Sequence, residues 1–176
     1  MESSQLNKIA AEIAAATADH ATHGHLRPLS SYLLEVREVL GMDIAFVSEF
    51  VDDRRVFAVV SASGEKPLIE PGASHPLLDT YCQRIVSGEL PRLIPDTASE
   101  PGAAKLPVTR ELRIGAYLSA PIVLRNGKVF GTLCCLSHVT RPDLRQSDAD
   151  ALEAVANAIA LSVDRYKGLS PHLTLG

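Results

Sequence analysis

Apolar residues recur at helical spacing near both ends of the chain and at a spacing of two through its middle. Leu6, Ile9, Ala10, Ile13, Ala14 and Thr17 line one side of a helix predicted over residues 3–20. Alanine takes two of these six positions; it favours helix but buries little area, so that part of the stripe suits close approach of another helix. His20, His23, Gly24, His25 and Pro28 break the pattern. A second helix is predicted over 30–40 on Leu33, Leu34, Val36 and Leu40, with Gly41 as its stop. From Asp43 the period shifts to two. Ile44, Phe46, Ser48 and Phe50 alternate with Ala45, Val47, Glu49 and Val51; Asp52-Asp53 turns the chain, and 56–60 returns as a second strand. Gly and Pro between Ser63 and Pro76 mark a long loop. A short helix is predicted over 78–86, then a strand over 90–94 whose flanking Pro91 and Pro95 place it at an edge. Residues 95–115 hold three prolines and no clear period before 108–112, and a loop that long in a compact domain is usually functional or mobile.

The sharpest local signal is Asn126-Gly127 between two β-rich runs, 116–124 and 129–137. With a type I′ turn, Arg125 pairs with Lys128, Leu124 with Val129, Ile122 with Gly131 and Ala120 with Leu133. One face is then Leu118, Ala120, Ile122, Leu124, Val129, Gly131, Leu133 and Cys135, all apolar. The other carries Tyr117, Ser119, Pro121, Val123, Phe130, Thr132, Cys134 and Leu136. Neither face suits water, so both should be covered, one dry and one dotted with hydroxyls and a thiol. A last helix is predicted over 148–166 on Leu152, Val155, Ala156, Ile159 and Val163, opened by Ser147-Asp148 and ended by Lys167-Gly168. Helices at both ends of an antiparallel sheet make the chain α+β.

Composition narrows the function classes. With 176 residues, 46% of them hydrophobic and 22% charged, the chain is one domain with a real core, which excludes disorder. A net charge of -4 without a basic stripe speaks against nucleic acid. No apolar run approaches the roughly 20 residues that span a bilayer, and no basic-then-apolar N-terminus marks a secretory signal. Three cysteines make no disulfide framework, so the expectation is a soluble, cytoplasmic protein.

The order of motifs resembles the GAF domain, in its bacterial sensory form, over about residues 30–166. The carriers are Leu77-Leu78-Asp79-Thr80-Tyr81-Cys82-Gln83-Arg84, Leu93-Ile94-Pro95-Asp96, and Leu106-Pro107-Val108-Thr109-Arg110-Glu111-Leu112 with Ile114-Gly115-Ala116-Tyr117. They end with Ala120-Pro121-Ile122, Val129-Phe130-Gly131-Thr132-Leu133 and a long helix opened by Asp148. The resemblance implies an antiparallel sheet of five to six strands, terminal helices on one face, and short helices with a lid loop over a ligand pocket on the other. Residues 1–28 would be an N-terminal helix and linker, 29–167 the domain, and 168–176 a flexible tail. The hydroxyl-dotted face becomes the pocket floor and 95–115 its lid. Candidate ligand-binding residues are Tyr81, Cys82, Arg84, Arg110, Tyr117, Ser119, Thr132 and Cys134. Tyr81 and Cys82 would begin a helix whose N-terminus favours an anion, and Arg84 or Arg110 could pair with a carboxylate or phosphate, or simply form surface salt bridges.

Family chemistries can be tested against these residues. Covalent bilin attachment uses a lid cysteine with a neighbouring histidine, and neither residue type occurs between Arg92 and Leu118. Haem would need one histidine, His75 or His138, and a lone histidine at a strand end is more often an ordinary polar residue. The cyclic-nucleotide signature is missing. Cys82 sits where the resemblance places a cysteine of free methionine-R-sulfoxide reductase, but the expected carboxylate positions read Tyr117, Cys134 and Leu136, and the lid lacks a cysteine. His20, His23 and His25 could hold a transition metal, although a solvated loop is the plainer account. Cys134-Cys135 reads as two core thiols, because consecutive strand residues face opposite ways. The expected function is a non-enzymatic sensory domain that binds an unidentified small ligand, forms a homodimer and signals to an output protein through its terminal helices, away from nucleic acid and membrane. Its rivals are a diverged thiol-dependent reductase and a structural dimerisation module whose pocket is filled by Tyr117, Phe130 and Leu136. In the homodimer the alanine flank of Ala10, Ala14, Ala154 and Ala158 would face the partner chain.

Overall fold

The computed structural model describes residues 2–23 and 28–169, with side chains over 2–18 and 28–165. Helices α1 (Glu2–His23) and α2 (Leu29–Leu40) come first, then strands β1 (Ile44–Val51), β2 (Arg54–Ala62) and β3 (Ser74–Pro76). A 3-10 turn (Leu77–Asp79) leads into α3 (Tyr81–Val86) and β4 (Leu93–Ile94). A second 3-10 turn (Thr97–Ser99), α4 (Pro101–Ala104) and α5 (Pro107–Glu111) precede β5 (Ala116–Val123), β6 (Val129–Ser137) and α6 (Gln146–Leu169). The strands form one six-stranded antiparallel sheet in the order β3-β2-β1-β6-β5-β4, which leaves β3 and β4 at the edges.

Two cores flank the sheet. On one side α6 lies over β5 and β6 and α2 over β1 and β2, while α1 packs along α6 and against α2. Their apolar stripes (Leu33, Val36 and Leu40; Leu152, Val155 and Ile159) meet Ala45, Val47, Leu118, Ala120, Leu133 and Cys135. On the other side α3, α4 and α5 cover Ile44, Phe46, Phe57, Tyr117, Cys134 and Leu136. The alternation of strand residues thus sorts into a dry helix-side core and a lid-side core with polar atoms, the two-faced pattern legible along β5 and β6.

Several local expectations need correction. The hairpin turn is not type I′, which requires a positive φ at both central residues. Only Gly127 has one, +84°, and its N–H bonds the Leu124 carbonyl while the Leu124 N–H bonds that of Lys128. Val123 therefore pairs with Val129, and Phe130 is an extra residue ahead of the Ile122–Gly131 pair. That bulge turns Phe130 into the helix-side core, not onto the pocket floor. Beyond it, the pairs Ile122–Gly131 and Ala120–Leu133 stand as the alternation predicts. At Gly131 β1 comes so close that a Cβ would lie 1.8 Å from the Ser48 carbonyl oxygen, so no side chain fits.

The helix predicted over 78–86 divides at Thr80, whose extended backbone caps α3 and whose Oγ1 accepts from the Gln83 N–H at 3.2 Å. The lid holds two short helices, each with proline at its first position, and the second overlaps the 108–112 stretch where a period sets in. The 4 residues of α4 are too few to show one. α6 starts at Gln146, and Asp148 Oδ2 reaches back to the Arg145 N–H at 2.9 Å, half of a capping box. The helix runs on to Leu169, into the stretch expected as tail; residues 170–176 lie outside the described part. So do the side chains of His20, His23 and His25, the candidate metal trio.

The alanine flank is used within the chain. Ala10 and Ala158 are 8% and 5% exposed, buried among α1, α6 and the sheet, and Ala14 and Ala154 pack against the same core. Small residues let α1 and α6 approach closely, as the stripe predicts, but the helix they admit belongs to the same chain. Among the described side chains of α1, Ala11, Ala15 and Ala18 are exposed.

Candidate functional site

Beneath the lid, the core draws its side chains from five elements. β1 supplies Phe46 and Ser48; β2 supplies Arg55 and Phe57; α3 supplies Tyr81 and Cys82; β5 supplies Tyr117 and Ser119; β6 supplies Thr132, Cys134 and Leu136. Period-two alternation aims the strand residues to one side. Of the sequence-predicted candidates, Tyr81, Cys82, Tyr117, Ser119, Thr132 and Cys134 come together here, all buried. The two arginines do not. Arg84 turns outward to Glu89 at 2.8 Å, and Arg110 is exposed on α5. Nor does α3 present an anion site, since it has six residues and Thr80 takes up the N–H of Gln83.

A chain of polar contacts crosses the floor. Ser48 Oγ and Thr132 Oγ1 share a hydrogen bond of 2.7 Å. Cys134 Sγ lies 3.2 Å from both Thr132 Oγ1 and Ser119 Oγ. Cys82 Sγ stands 3.9 Å from Cys134 Sγ and 3.6 Å from the Tyr117 hydroxyl. The Tyr81 ring packs edge-on against Tyr117, centroids 4.8 Å apart, and its hydroxyl bonds Thr109 Oγ1 on the lid. Thr109 Oγ1 in turn donates to the Ala103 carbonyl at 2.5 Å, which ties α4 and α5 to α3.

Arg55, which the sequence reading passed over, is the central cation. It is 2% exposed, its guanidinium carbon is 4.0 Å from the Phe57 ring centroid, Nη1 donates to Cys82 Sγ at 3.5 Å and Nη2 to His75 Nδ1 at 2.7 Å. Its Nε has no hydrogen-bond partner, and among the described residues no carboxylate forms an ion pair with it. One signal could have found it: Arg55 stands two residues before Phe57 on a strand, hence on the same face. A bulge at Ala58, between the Val47–Val59 and Ser48–Phe57 pairs, obscured that by moving Val59 to the helix side.

The electrostatics follow from this placement. Burial works against a Cys82 thiolate, but the hydrogen bond with Cys134, the Arg55 charge and hydrogen bonds with Thr132 and Tyr117 hold its thiol well below the usual range. Burial, then the hydrogen bond to Cys82 and its charge, push the Cys134 thiol well up. Cys135, on the dry face, is pushed up to about 12 by burial. Burial and then Arg55 lower the pKa of His75, so its ring stays neutral and accepts from the guanidinium. Of the two haem candidates, His75 is thus engaged by Arg55, and His138 is an exposed residue whose Nδ1 meets the Arg113 carbonyl.

Between floor and lid remains a cavity of about 10 Å³ lined by Phe46, Arg55, Tyr81, Val108, Leu112, Ile114, Tyr117 and Leu136. Tyr117 and Leu136 help fill this space as the filled-pocket alternative requires; Phe130 does not. Larger concavities are open surface grooves, one of about 690 Å³ between α1, α6 and the hairpin turn and one of about 430 Å³ on the lid that includes Arg110. Among the described residues no group of three His, Cys, Asp or Glu side chains is placed to hold a metal ion.

Several solved structures share this arrangement. The chain superposes on the phycocyanobilin-bound GAF domain of a cyanobacterial phytochrome with a TM-score of 0.71 and 14% identity, covering 98% of both chains. It matches the GAF domain of an Acinetobacter phosphoenolpyruvate-protein phosphotransferase with a TM-score of 0.66 and 16% identity, over 95% of this chain and 94% of that one. Free methionine-R-sulfoxide reductase of Neisseria meningitidis, in complex with its substrate, gives 0.68 and 12% over 96% and 94%. At these identities the likeness speaks for the fold alone. A search of curated protein sequences gave no match. The sequence pattern of the GAF domain family, however, matches residues 28–163, from the start of α2 to the last buried turn of α6. With its six-stranded sheet, helices behind and lid in front, the chain belongs to the GAF domain family.

Proposed function

We propose that this is a non-enzymatic sensory GAF domain that takes a small ligand between its sheet and its lid and passes the change to an output protein through α1 and α6. The observation that carries the reading is the Arg55 Nε, buried at the edge of the cavity without a hydrogen-bond partner. An unmade hydrogen bond on a buried charged group costs on the order of 1–3 kcal/mol or more, and a ligand with an acceptor atom would relieve it. The aromatic and aliphatic lining would hold the remainder of a small, largely apolar molecule. At about 10 Å³ the cavity is in its closed form, and Val108, Leu112 and Ile114, all from the lid, would have to withdraw. The long terminal helices pack on each other and α6 on β5, so a shift of the floor has a route to both chain ends. A homodimer through the outer faces of these helices and a cytoplasmic setting belong to the same reading; three unpaired cysteines fit a reducing compartment.

The small cavity favours a second reading, a structural module whose pocket is filled by its own side chains. Native mass spectrometry of freshly purified protein separates the two. The ligand reading expects an adduct released on denaturation and lost in a folded Arg55→Met variant. Bare chain mass, together with no thermal stabilisation across a library of small metabolites, would favour the structural module.

A further inference from the structure

Two of the three cysteines meet inside the lid-side core, and the third provides a contrast within the same fold. Cys82 comes from the first turn of α3 and Cys134 from β6, 52 residues apart in sequence, and their sulfurs are 3.9 Å apart. Cys135, the next residue on β6, points into the dry core among apolar side chains. The guanidinium of Arg55 faces Cys82 and not the others. No carboxylate among the described residues pairs with that guanidinium, so Cys82 is the one acidic group within its hydrogen-bonding reach.

We infer that Cys82 and Cys134 form a redox-active dithiol, oxidised to an intramolecular disulfide by a small hydroperoxide, with Cys82 as the attacking thiolate and Cys134 as the resolving thiol. The division of labour follows from the surroundings. Arg55 and the neighbouring hydroxyls stabilise negative charge on Cys82, while Cys134, beside that charge, keeps its proton. In the first step the Cys82 thiolate attacks one oxygen of hydrogen peroxide. The O–O bond breaks, the sulfur is oxidised to sulfenic acid, and the leaving hydroxide takes up a proton as water. In the second, Cys134 gives up its proton and attacks the Cys82 sulfur, the S–O bond breaks, and a second water leaves. Two thiols and one peroxide become one disulfide and two waters.

The cavity of about 10 Å³ is lined by Arg55, Tyr81 and Tyr117, which surround Cys82, but by neither sulfur, so a hydroperoxide reaches Cys82 only when these side chains shift. Closing the sulfur separation from 3.9 Å to the roughly 2.05 Å of a disulfide requires the two sulfurs to approach by about 1.85 Å. The disulfide also removes the negative charge opposite Arg55, so oxidation would release the guanidinium from its sulfur partner and reshape the cavity. None of this requires a ligand in the pocket, so the proposal stands or falls apart from the sensory reading.

The test is a thiol count. Reduced protein, treated with hydrogen peroxide, quenched, denatured and alkylated, should lose the mass of two hydrogen atoms and fall from three free thiols to one, with peptide mapping joining Cys82 to Cys134 and dithiothreitol restoring all three. Cys134→Ser should stop at a sulfenic acid trapped by a dimedone probe, Cys82→Ser should consume no peroxide, and Cys135→Ala should behave as wild type. Arg55→Met should move the pH profile of the first step upward. Three free thiols after treatment of folded wild-type protein, or a disulfide or oxidised sulfur centred on Cys135, would overturn the inference. If Cys82→Ser fails to fold, the wild-type peptide map and Cys134→Ser still decide it.

Discussion

Arg55 shows how one side chain can set the properties of several others. Its charge, sealed between two aromatic rings, lowers the pKa of His75 after burial has done so, and favours a thiolate on Cys82. The sign of the pH dependence follows. An unfolded chain takes up a proton on histidine below about pH 6.5, while the folded chain resists it, so stability falls as the pH drops from there through the lowered value of His75. Cys82 acts in the same direction at higher pH. The stability from its lowered pKa is fully present above the ordinary thiol value of about 8.5 and is lost as pH falls through the folded value. Denaturant unfolding of the reduced protein should therefore show stability declining on acidification, and His75→Asn, which keeps an acceptor for Arg55 but cannot titrate, should flatten the profile below about pH 6.5. An identical slope in the variant would show that His75 is not held neutral. Strand alternation marks Tyr117 and Cys134, while Tyr81 and Cys82, on a helix, are marked by the family resemblance. The sequence reading missed Arg55 because a charged residue after a turn ordinarily faces water.

Among the elements, the lid depends most on a few hydrogen bonds. α4 and α5 together have 9 residues, too few to be stable alone, and their order comes from packing and from the Tyr81–Thr109–Ala103 clasp. Thr109→Val keeps the shape and removes both bonds. A loss of about 1–2 kcal/mol confined to the lid would raise amide exchange over residues 101–114 by roughly 5- to 30-fold while β1, β5 and β6 keep their protection. Uniform loss of protection across the sheet would instead make the clasp part of the global fold. The same locality explains what was legible here. The prolines at the first positions of α4 and α5 and the period over 108–112 are written in the sequence, but a helix as short as α4 leaves no repeat to read. The two bulges, at Ala58 and Phe130, are likewise invisible to alternation, because each shifts the pattern by one residue without altering its composition.

At the scale of the whole molecule, the terminal helices bear on assembly. Ala158 is enclosed by its own chain, so Ala158→Glu would bury an unpaired carboxylate and unfold the domain, whatever its oligomeric state. Ala15 on α1 and Leu161 on α6, the latter 48% exposed, are the positions where a charge can report on association. In light scattering, wild type should be a dimer and Ala15→Glu or Leu161→Glu a folded monomer; monomeric wild type would remove the dimer from the proposed function. The sequence by itself determined the α+β class, the antiparallel pairing around the Asn126-Gly127 turn, and the contrast between a dry and a polar sheet face. These depend on period and turn chemistry, which act between near neighbours. Tertiary structure decided which alanines are inside, on which side Phe130 lies, and that Arg55, His75, Cys82 and Cys134 meet. Such juxtapositions depend on bulges and on contacts between β2, α3 and β6, segments far apart in the chain, and no local pattern records which distant residues the packed sheet will bring within a few ångströms of each other.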